Sequence, residues 1–385
     1  MKYLKSTAKT IHEYKEYAFL SDIKLFIGNV KKAIVFPFNK EIKSIAKFEH
    51  LIDFEIAGYY DHRISTSLNK KICNIYPQIN NEKCILNFEK LDWYNDFDLL
   101  ICGHCDEISQ IYKQDMLQNI IDKCIHYKKK LYAFDNLTKY LPNIPGKCFN
   151  QFYFPYADIS TVPQNRFGKL RRFSKPSVGI YGTSSVQGKY TLQLYLREQF
   201  LKNEYKVGQI STEPSGYLFN FDYVYPTGYN SSVFINTHDT VAVLNEVLWE
   251  IERKDVDIIL TGCQSGTVSY DIASLGNINF SAFDFIVSTA PDAVILCVNS
   301  FDSIDYIKRT INFIESIGSS KVISLVIFPL ERSQNSFSLR GNRKLTNISE
   351  LNTFKEKLKE IFNVNIFINQ KEDIENIYNS IIDFF

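Results

Sequence analysis

The segment that most constrains this 385-residue chain is residues 176–191, which read Pro-Ser-Val-Gly-Ile-Tyr-Gly-Thr-Ser-Ser-Val-Gln-Gly-Lys-Tyr-Thr. An apolar strand, residues 178–181, runs into a loop of small residues that ends in Gly188-Lys189, and a helical pattern follows over residues 192–201. In this order the loop N–H groups and the helix N-terminus point at one place, and the lysine adds positive charge there. The segment therefore predicts an α/β domain with an anion site at the end of its first strand.

The loop departs in two ways from the usual phosphate-binding pattern, G-x-x-x-x-G-K-[ST]. Gly182 lies six residues before Gly188 instead of five, and Tyr190 follows the lysine, so that the hydroxyl comes one place later at Thr191. The candidates for binding the anion are Gly182, Thr183, Ser184, Ser185, Gly188, Lys189, Tyr190 and Thr191. The alternative is a strand-to-helix turn that carries Gly and Ser for steric reasons alone.

Strands and helices alternate along most of the chain, which indicates an α/β protein with two parallel sheets. We expect a Rossmann-like domain over residues 1–139, a connector over 140–176 and a P-loop NTPase-like domain over 177–385. The connector is predicted because it contains five of the eleven prolines. No G-x-G-x-x-G follows the first predicted strand, residues 33–37, so the N-terminal domain carries no dinucleotide-binding fingerprint.

The composition of the chain indicates which partners and which cellular compartment to expect. The formal net charge is +1, which gives no electrostatic reason to expect nucleic acid or a membrane surface as a partner. No run reaches the roughly 18 apolar residues of a membrane span, and the N-terminus lacks the apolar core of a signal peptide. We therefore expect a cytoplasmic protein whose eight cysteines are reduced thiols.

Small and hydrogen-bonding residues also follow the later predicted strands of the C-terminal domain. They occupy residues 209–216, 260–266 and 297–300. Ligands of open parallel sheets bind beyond the carboxyl ends of the strands, so these loops belong to the predicted site, with Gly262 and Gln264 as further binding candidates. Ordinary loops have the same composition, which is the alternative interpretation.

Three motifs carry a resemblance to a known family. They are Gly-Thr-x-x-x-x-Gly-Lys-x-Thr at 182–191, Thr-Gly-Cys-Gln-Ser-Gly at 261–266 and Ala-Pro-Asp-Ala-Val-Ile-Leu at 290–296. Together they resemble a family of bacterial P-loop proteins that includes D-glutamate N-acetyltransferases. That family joins an N-terminal Rossmann-like domain to a C-terminal domain similar to dethiobiotin synthetase. The chain also resembles the clostridial branch found in peptide maturation systems, which make bacteriocin-like peptides.

The resemblance implies a phosphate-bearing ligand on the loop, either ATP with Mg²⁺ or, as the alternative, acetyl-CoA. It also points to a departure, since relatives commonly carry Glu where this chain has Thr261. A Mg²⁺ ion would therefore need the Thr191 hydroxyl together with a carboxylate from another position. Glu213 is the candidate by position and Asp239 is second, while a solvent-facing loop acid is the alternative for Glu213.

Lys189, Glu213 and His238 make up the predicted catalytic set. Lys189 would neutralise phosphate charge, and His238 could act as a general base because histidine titrates near neutral pH. A structural loop histidine is the alternative.

Cys263, beside the predicted phosphate site, could have a lowered pKa. The motif at 102–105, Cys-Gly-His-Cys, could be half a zinc site, a redox motif or a pair of buried thiols.

Three functions fit these patterns. The first is a P-loop nucleotide-binding protein of a peptide maturation system, which uses ATP to activate or transfer a group onto an amino-acid-like or peptide substrate. The second is a CoA-dependent N-acetyltransferase that uses the same loop, and the third is a degenerate P-loop that serves as a scaffold or binding module. A basic loop at residues 339–344 is a further candidate contact for the ligand. By analogy with relatives we expect a homo-oligomer.

Overall fold

The computed structural model describes residues 23–94, 97–164, 168–228, 230–269, 280–329, 346–368 and 373–385. The chain forms two compact units. The first contains Met1–Thr161 and Glu213–Phe234, and the second contains Val162–Thr212 and Ile235–Phe385. Each unit has its own buried apolar cluster.

The first sheet is entirely parallel, with the strand order β3-β2-β1-β4-β5-β6. This is the Rossmann order, in which the succession of strands reverses between β1 and β4. Its inner strands are apolar runs because both faces are covered, and every residue of β4 is buried. The strands are β1 (Lys32–Phe36), β2 (Glu55–Asp61), β3 (Ile85–Asn87), β4 (Leu99–Cys102), β5 (Lys130–Ala133) and β6 (Phe152–Tyr153).

Short helices accompany this sheet, and the longest of those described is α5, Met116–Tyr127. It begins where the Asp115 side chain accepts a hydrogen bond from Gln118 N–H, and it ends at Lys128 in the left-handed conformation. Apolar residues at helical spacing over residues 116–127 predict a helix with these bounds. The other helices of this unit are α1 (Ile23–Ile27), α2 (Lys43–Lys47), α3 (Ile72–Ile75) and α4 (Asp106–Tyr112).

The second sheet has seven strands in the order β13-β12-β11-β7-β10-β8-β9, and its strands from β13 to β8 run parallel. The strand that leads into the glycine loop, β7, lies between β11 and β10, and all six of its residues are buried. The strands are β7 (Ser177–Gly182), β8 (Val207–Ser211), β9 (Tyr223–Val224), β10 (Ile258–Gly262), β11 (Ala293–Asn299), β12 (Lys321–Phe328) and β13 (Asn365–Ile368). The two sheets confirm the predicted α/β class.

Helices alternate with the strands of the second unit. They are α6 (Lys189–Lys202), α7 (Thr237–Glu252), α8 (Phe280–Thr289), α9 (Ile304–Gly318), α10 (Ile348–Ile361) and α11 (Ile374–Ile382). Within the ranges that the structure describes, no helix combines the length and the apolar character needed to cross a membrane.

The unit boundaries differ from the predicted connector at 140–176. Phe152 and Tyr153 form β6, which pairs with β5, so this stretch contributes a strand to the first sheet. The segment Glu213–Phe234 also belongs to the first unit, where the Tyr132 hydroxyl donates a hydrogen bond to the Pro214 carbonyl oxygen at 2.6 Å. Prolines mark turns, but long-range pairing decides which unit a turn belongs to.

Candidate functional site

The predicted phosphate loop lies between β7 and α6. The strand ends at Gly182 and the helix begins at Lys189. Val186 has a φ of 60° and Gly188 a φ of 71°, so the chain turns through left-handed conformations just before the helix. The N–H groups of the first helical turn have no partner inside the helix. The start of α6 therefore directs N–H groups and the positive end of the helix dipole toward the loop.

Lys189 lies across this loop. Its ammonium group donates a hydrogen bond to the Ser184 carbonyl oxygen at 2.6 Å, and its side chain is largely buried. Gln187 accepts from Ser184 N–H at 3.0 Å and donates to the Thr183 hydroxyl at 2.6 Å. The ends of these two side chains pack directly against Gly182, where a Cβ would lie 2.4 Å from Gln187 Oε1 and 3.3 Å from Lys189 Nζ.

A carboxylate that the sequence reasoning missed also contacts the loop. Asp302 accepts hydrogen bonds from the Thr183 hydroxyl at 2.5 Å and from Asn299 N–H at 2.8 Å. Asn299 also donates from its side chain to Ser184 Oγ at 3.0 Å. Burial raises the pKa of Asp302, although these hydrogen bonds oppose the shift. Its only signal in the sequence is a polar turn after a strand, which is common.

The loop after β10 packs against the phosphate loop. The N–H group and the hydroxyl of Thr267 both donate to the Gly182 carbonyl oxygen, at 2.8 and 3.0 Å. A Cβ on Gly266 would lie 2.4 Å from the carbonyl oxygen of Thr183, so the two backbones approach closely here. The structure thus brings together two of the loops that the sequence assigned to one site.

The predicted binding residues at the end of β10 lie beside α6. Gly262 faces the helix, since a Cβ there would lie 2.2 Å from Gln193 Nε2. Gln264 is half-buried, and Thr261 is fully buried. The rest of the phosphate loop is more open: Ser185 is exposed, and Tyr190 and Thr191 are half-buried in the first turn of α6.

The other two predicted catalytic residues lie in the segment after β8 and at the start of α7. Glu213 is half-buried and precedes a 3₁₀ helix in the segment that belongs to the first unit. His238 lies in the first turn of α7, where its side chain is 60% exposed and 4.0 Å from the Asp239 carboxylate. Asn236 caps this helix by accepting a hydrogen bond from Asp239 N–H. The basic loop at 339–344 lies outside the described residues.

The three cysteines that the sequence analysis singled out, Cys102, Cys105 and Cys263, are buried. Cys102 and Cys105 have sulfur atoms 3.5 Å apart and are free thiols. Burial raises the pKa of Cys263 to about 12 despite the charge of Lys189, which is the opposite of the lowered pKa that the sequence suggested. Across the described ranges, no group of three or more His, Cys, Asp or Glu side chains is arranged to hold a metal ion.

A second polar cluster, which the sequence reasoning did not identify, lies beyond β4 and β5 in the first unit. His104 Nδ1 lies 2.6 Å from Asp135 Oδ1, and the other oxygen of Asp135 accepts from Cys105 N–H at 2.9 Å. Burial alone would lower the pKa of His104, but the hydrogen bond and charge of Asp135 raise it above its ordinary value. Burial alone would raise the pKa of Asp135, but hydrogen bonds and the histidine charge hold it below its ordinary value. The available signal was that both residues shortly follow runs typical of strands, residues 97–101 and 131–134.

Comparisons with known proteins bear on the fold. No known protein family matches the sequence, and neither does any curated protein. A solved structure of a duf1611 family protein from Anabaena variabilis is similar, with a TM-score of 0.63 and 11% identity over 92% of this chain and 100% of that chain. The second unit has a P-loop-like fold. At this identity the likeness shows the fold alone.

Two further solved structures match over shorter stretches. A nucleotide-binding protein from Archaeoglobus fulgidus, in complex with ADP, has a TM-score of 0.33 and 11% identity over 53% of this chain and 87% of that chain. A LAO/AO transport system kinase has a TM-score of 0.33 and 12% identity over 55% of this chain and 59% of that chain.

Proposed function

We propose that this chain is a P-loop protein that binds ATP with Mg²⁺ and activates, or transfers a group onto, an amino-acid-like or peptide substrate. The observation that carries the proposal is the glycine loop between β7 and α6 with Lys189 lying across it. The resemblance at three motifs supplies the proposed setting, a homo-oligomeric protein of a system that matures bacteriocin-like peptides.

The chain's own groups would bind the phosphates. The N–H groups at the start of α6 offer donors, and Lys189 offers a charged one. A phosphate oxygen would replace the Ser184 carbonyl oxygen as the partner of the ammonium group, because hydrogen bonds between charged groups are stronger. Lys189 would then offset the negative charge that develops on the phosphates during transfer.

A Mg²⁺ ion, when bound, would neutralise phosphate charge. The residues near the loop offer an oxygen ligand for it. The Thr191 hydroxyl in the first turn of α6 is the proposed protein ligand, and Glu213 remains the proposed carboxylate. Asp302 fits a different role, since its oxygens already accept hydrogen bonds from Thr183 and Asn299. We propose that Asp302 fixes the shape of the loop.

A second candidate function is CoA-dependent N-acetyl transfer on the same loop. The observation that favours it is the end of β10, which pairs directly with β7 and terminates in Thr261-Gly262, neither of which is a charged metal ligand. The phosphates of CoA require N–H donors and a lysine but no metal ion. Binding would then depend on Lys189 and be independent of Mg²⁺.

Thermal unfolding with ATP and Mg²⁺, ATP alone, ADP, acetyl-CoA and CoA tests both functions. A ligand present at 100 times its dissociation constant adds about 2.7 kcal/mol of stability, which is readily measured. We expect Lys189→Ala to lose this stabilisation. Lys202→Ala is the matched control, because Lys202 is on the same helix, is 63% exposed and, among the described ion pairs, pairs only with the half-buried Glu198.

Each outcome selects a function. Stabilisation by ATP with Mg²⁺ in the wild type and Lys202→Ala, but not in Lys189→Ala, supports the first function. Metal-independent stabilisation by acetyl-CoA with the same dependence on Lys189 supports the second. If no ligand stabilises the wild type, both are contradicted and the scaffold function remains.

A further inference from the structure

The first unit contains an open cleft beyond the carboxyl ends of β4 and β5. In open parallel sheets, ligands bind beyond the carboxyl ends of the strands. A cleft of about 990 Å³ lies there and is formed by residues of the first unit alone. Residues lining it include Cys105, Asp106, Asp135, Asn136, Thr138 and Asn230.

Two carboxylates in this cleft share one nitrogen donor. The side-chain amide nitrogen of Asn230 donates both to Asp106 Oδ2 and, at 3.0 Å, to Asp135 Oδ1. A neutral amide can give each carboxylate only one hydrogen bond and no charge. A protonated amine at this position has three N–H donors and a positive charge, so it matches the two carboxylates better than Asn230 does.

The cleft also contains a buried hydroxyl with no partner among the described residues. Thr138 is only 6% exposed and lines the cleft, and its Oγ1 makes no hydrogen bond there. A buried polar atom without a partner is costly, and such atoms commonly face a ligand or water. This hydroxyl is independent of the carboxylates and points to a polar ligand.

We propose that this cleft binds a small molecule through a protonated amino group seated on Asp106 and Asp135. The proposal rests on the proposed function, because it places the amine-bearing acceptor in the first unit, away from the predicted phosphate loop along the chain. His104 is a positioning residue in it, since it holds Asp135 through Nδ1.

The charge of His104 makes binding depend on pH. The charged and titratable groups that act on it are Asp135 after β5, Asp106 at the start of α4, and Glu41 before α2. When His104 is protonated it neutralises Asp135, and when it is neutral it leaves that carboxylate negative. A protonated His104 and a bound ammonium group are both positive and repel each other, so a neutral His104 favours amine binding. We therefore expect amine affinity to rise at least about tenfold as pH rises through the His104 pKa.

The test is histidine-selective NMR of the full chain. The probes are the common amino acids other than lysine, arginine and histidine, in D and L forms, each paired with its N-acetylated counterpart, which cannot carry the α-ammonium charge. We expect at least one amino acid to shift the His104 ring resonances and to lower the pKa that they report, while its N-acetylated form does neither. The resonances of His50 and His126, which are exposed, should not move and serve as internal controls.

Variants separate this proposal from the proposed function. Asp106→Asn should abolish the response, whereas Asp122→Asn, an exposed acid on α5, should keep it. Lys189→Ala should also keep the response of the His104 resonances. The amine proposal can therefore be tested even if nucleotide does not bind at the loop. The proposal is overturned if no amino acid shifts His104, if N-acetylated probes act equally, or if Mg²⁺ alone produces the same shift.

Discussion

At the scale of single residues, buried polar side chains hold the loop of the second unit. The Thr183 hydroxyl, Asp302 and Asn299 form a connected set of hydrogen bonds that also reaches Ser184. Buried networks of this kind stabilise a structure only when every member has its partner. Removing one member should therefore affect both the stability of the unit and the shape of the loop.

Asp302→Ala should lower the free energy of unfolding by about 1–3 kcal/mol, because it leaves the Thr183 hydroxyl and Asn299 N–H without an acceptor. Asp305→Ala is the control, since Asp305 is an exposed acid in the first turn of α9 and should cost less than about 1 kcal/mol. Urea denaturation followed by circular dichroism measures both. Equal losses in the two variants would show that the Asp302 contacts do not hold the loop.

Asp284 should make stability depend on pH. Burial raises its pKa to about 6, and its Oδ1 has no hydrogen-bond partner in the described structure. The folded protein therefore binds this proton more tightly than the unfolded chain, whose pKa is near 4. The contribution of Asp284 to stability is full below about pH 4 and is lost as pH rises through about 6.

The measurement is urea denaturation of the wild type and Asp284→Asn between pH 4.5 and 7.5. Asp284→Asn cannot ionise, so its stability relative to the wild type should rise with pH, by on the order of 1–3 kcal/mol across this window. A difference between the two proteins that stays constant with pH would falsify the prediction.

At the scale of elements, close backbone approach positions the loop after β10 against the phosphate loop. Thr267 ties the two together through Gly182. A side chain at Gly266 would meet the backbone of Thr183, whereas one at Gly262 would meet only the end of the Gln193 side chain. Backbone cannot move aside cheaply, but the end of a flexible side chain can adopt another rotamer.

Gly266→Ala should therefore destabilise the second unit by about 1–3 kcal/mol and weaken any ligand bound at the loop. Gly262→Ala is the matched control. It should lower the free energy of unfolding by less, because the Gln193 side chain can adopt another rotamer. Urea denaturation and the thermal-shift titration with the same ligands give the two readouts. The idea fails if Gly262→Ala is as damaging as Gly266→Ala in both.

At the scale of the whole molecule, the first unit is built from two separate stretches of chain. Residues Glu213–Phe234 leave the second unit after β8 and pack with Met1–Thr161. The hydroxyl of the fully buried Tyr132 donates to the Pro214 carbonyl oxygen. The Ser232 hydroxyl donates to the Pro155 carbonyl oxygen at 2.6 Å. Ala157 and Val233 form an isolated parallel β-bridge. A chain that ends at residue 161 would lack all of these partners.

Tyr132→Phe should destabilise the protein by about 0.5–1.5 kcal/mol, because the Pro214 carbonyl oxygen loses its buried donor. Tyr94→Phe, at a position that is 72% exposed, should change stability by less than about 0.5 kcal/mol. A fragment of residues 1–161 should give poorly dispersed NMR spectra unless residues 213–234 are joined to it. A well-folded fragment would contradict the assignment of that segment.

Local patterns predicted much of this architecture. The strand expected at 178–181 is observed as Ser177–Gly182, and the helix expected at 116–127 is observed as Met116–Tyr127. The two-residue strand Phe152–Tyr153 was not predicted, because so short a segment has no periodicity to read. The roles of the predicted site residues remain predictions, to be tested at Lys189 first.

The sequence by itself determined the α/β class and the position of the glycine loop, because burial of apolar runs and the needs of a tight turn act over a few neighbouring residues. Only the tertiary structure decided which distant side chains meet. Asp302 reaches Thr183 across 119 residues, and His104 reaches Asp135 across 31. Such pairs depend on which strands lie side by side in each sheet, and strand order follows from the packing of the whole unit rather than from any local pattern.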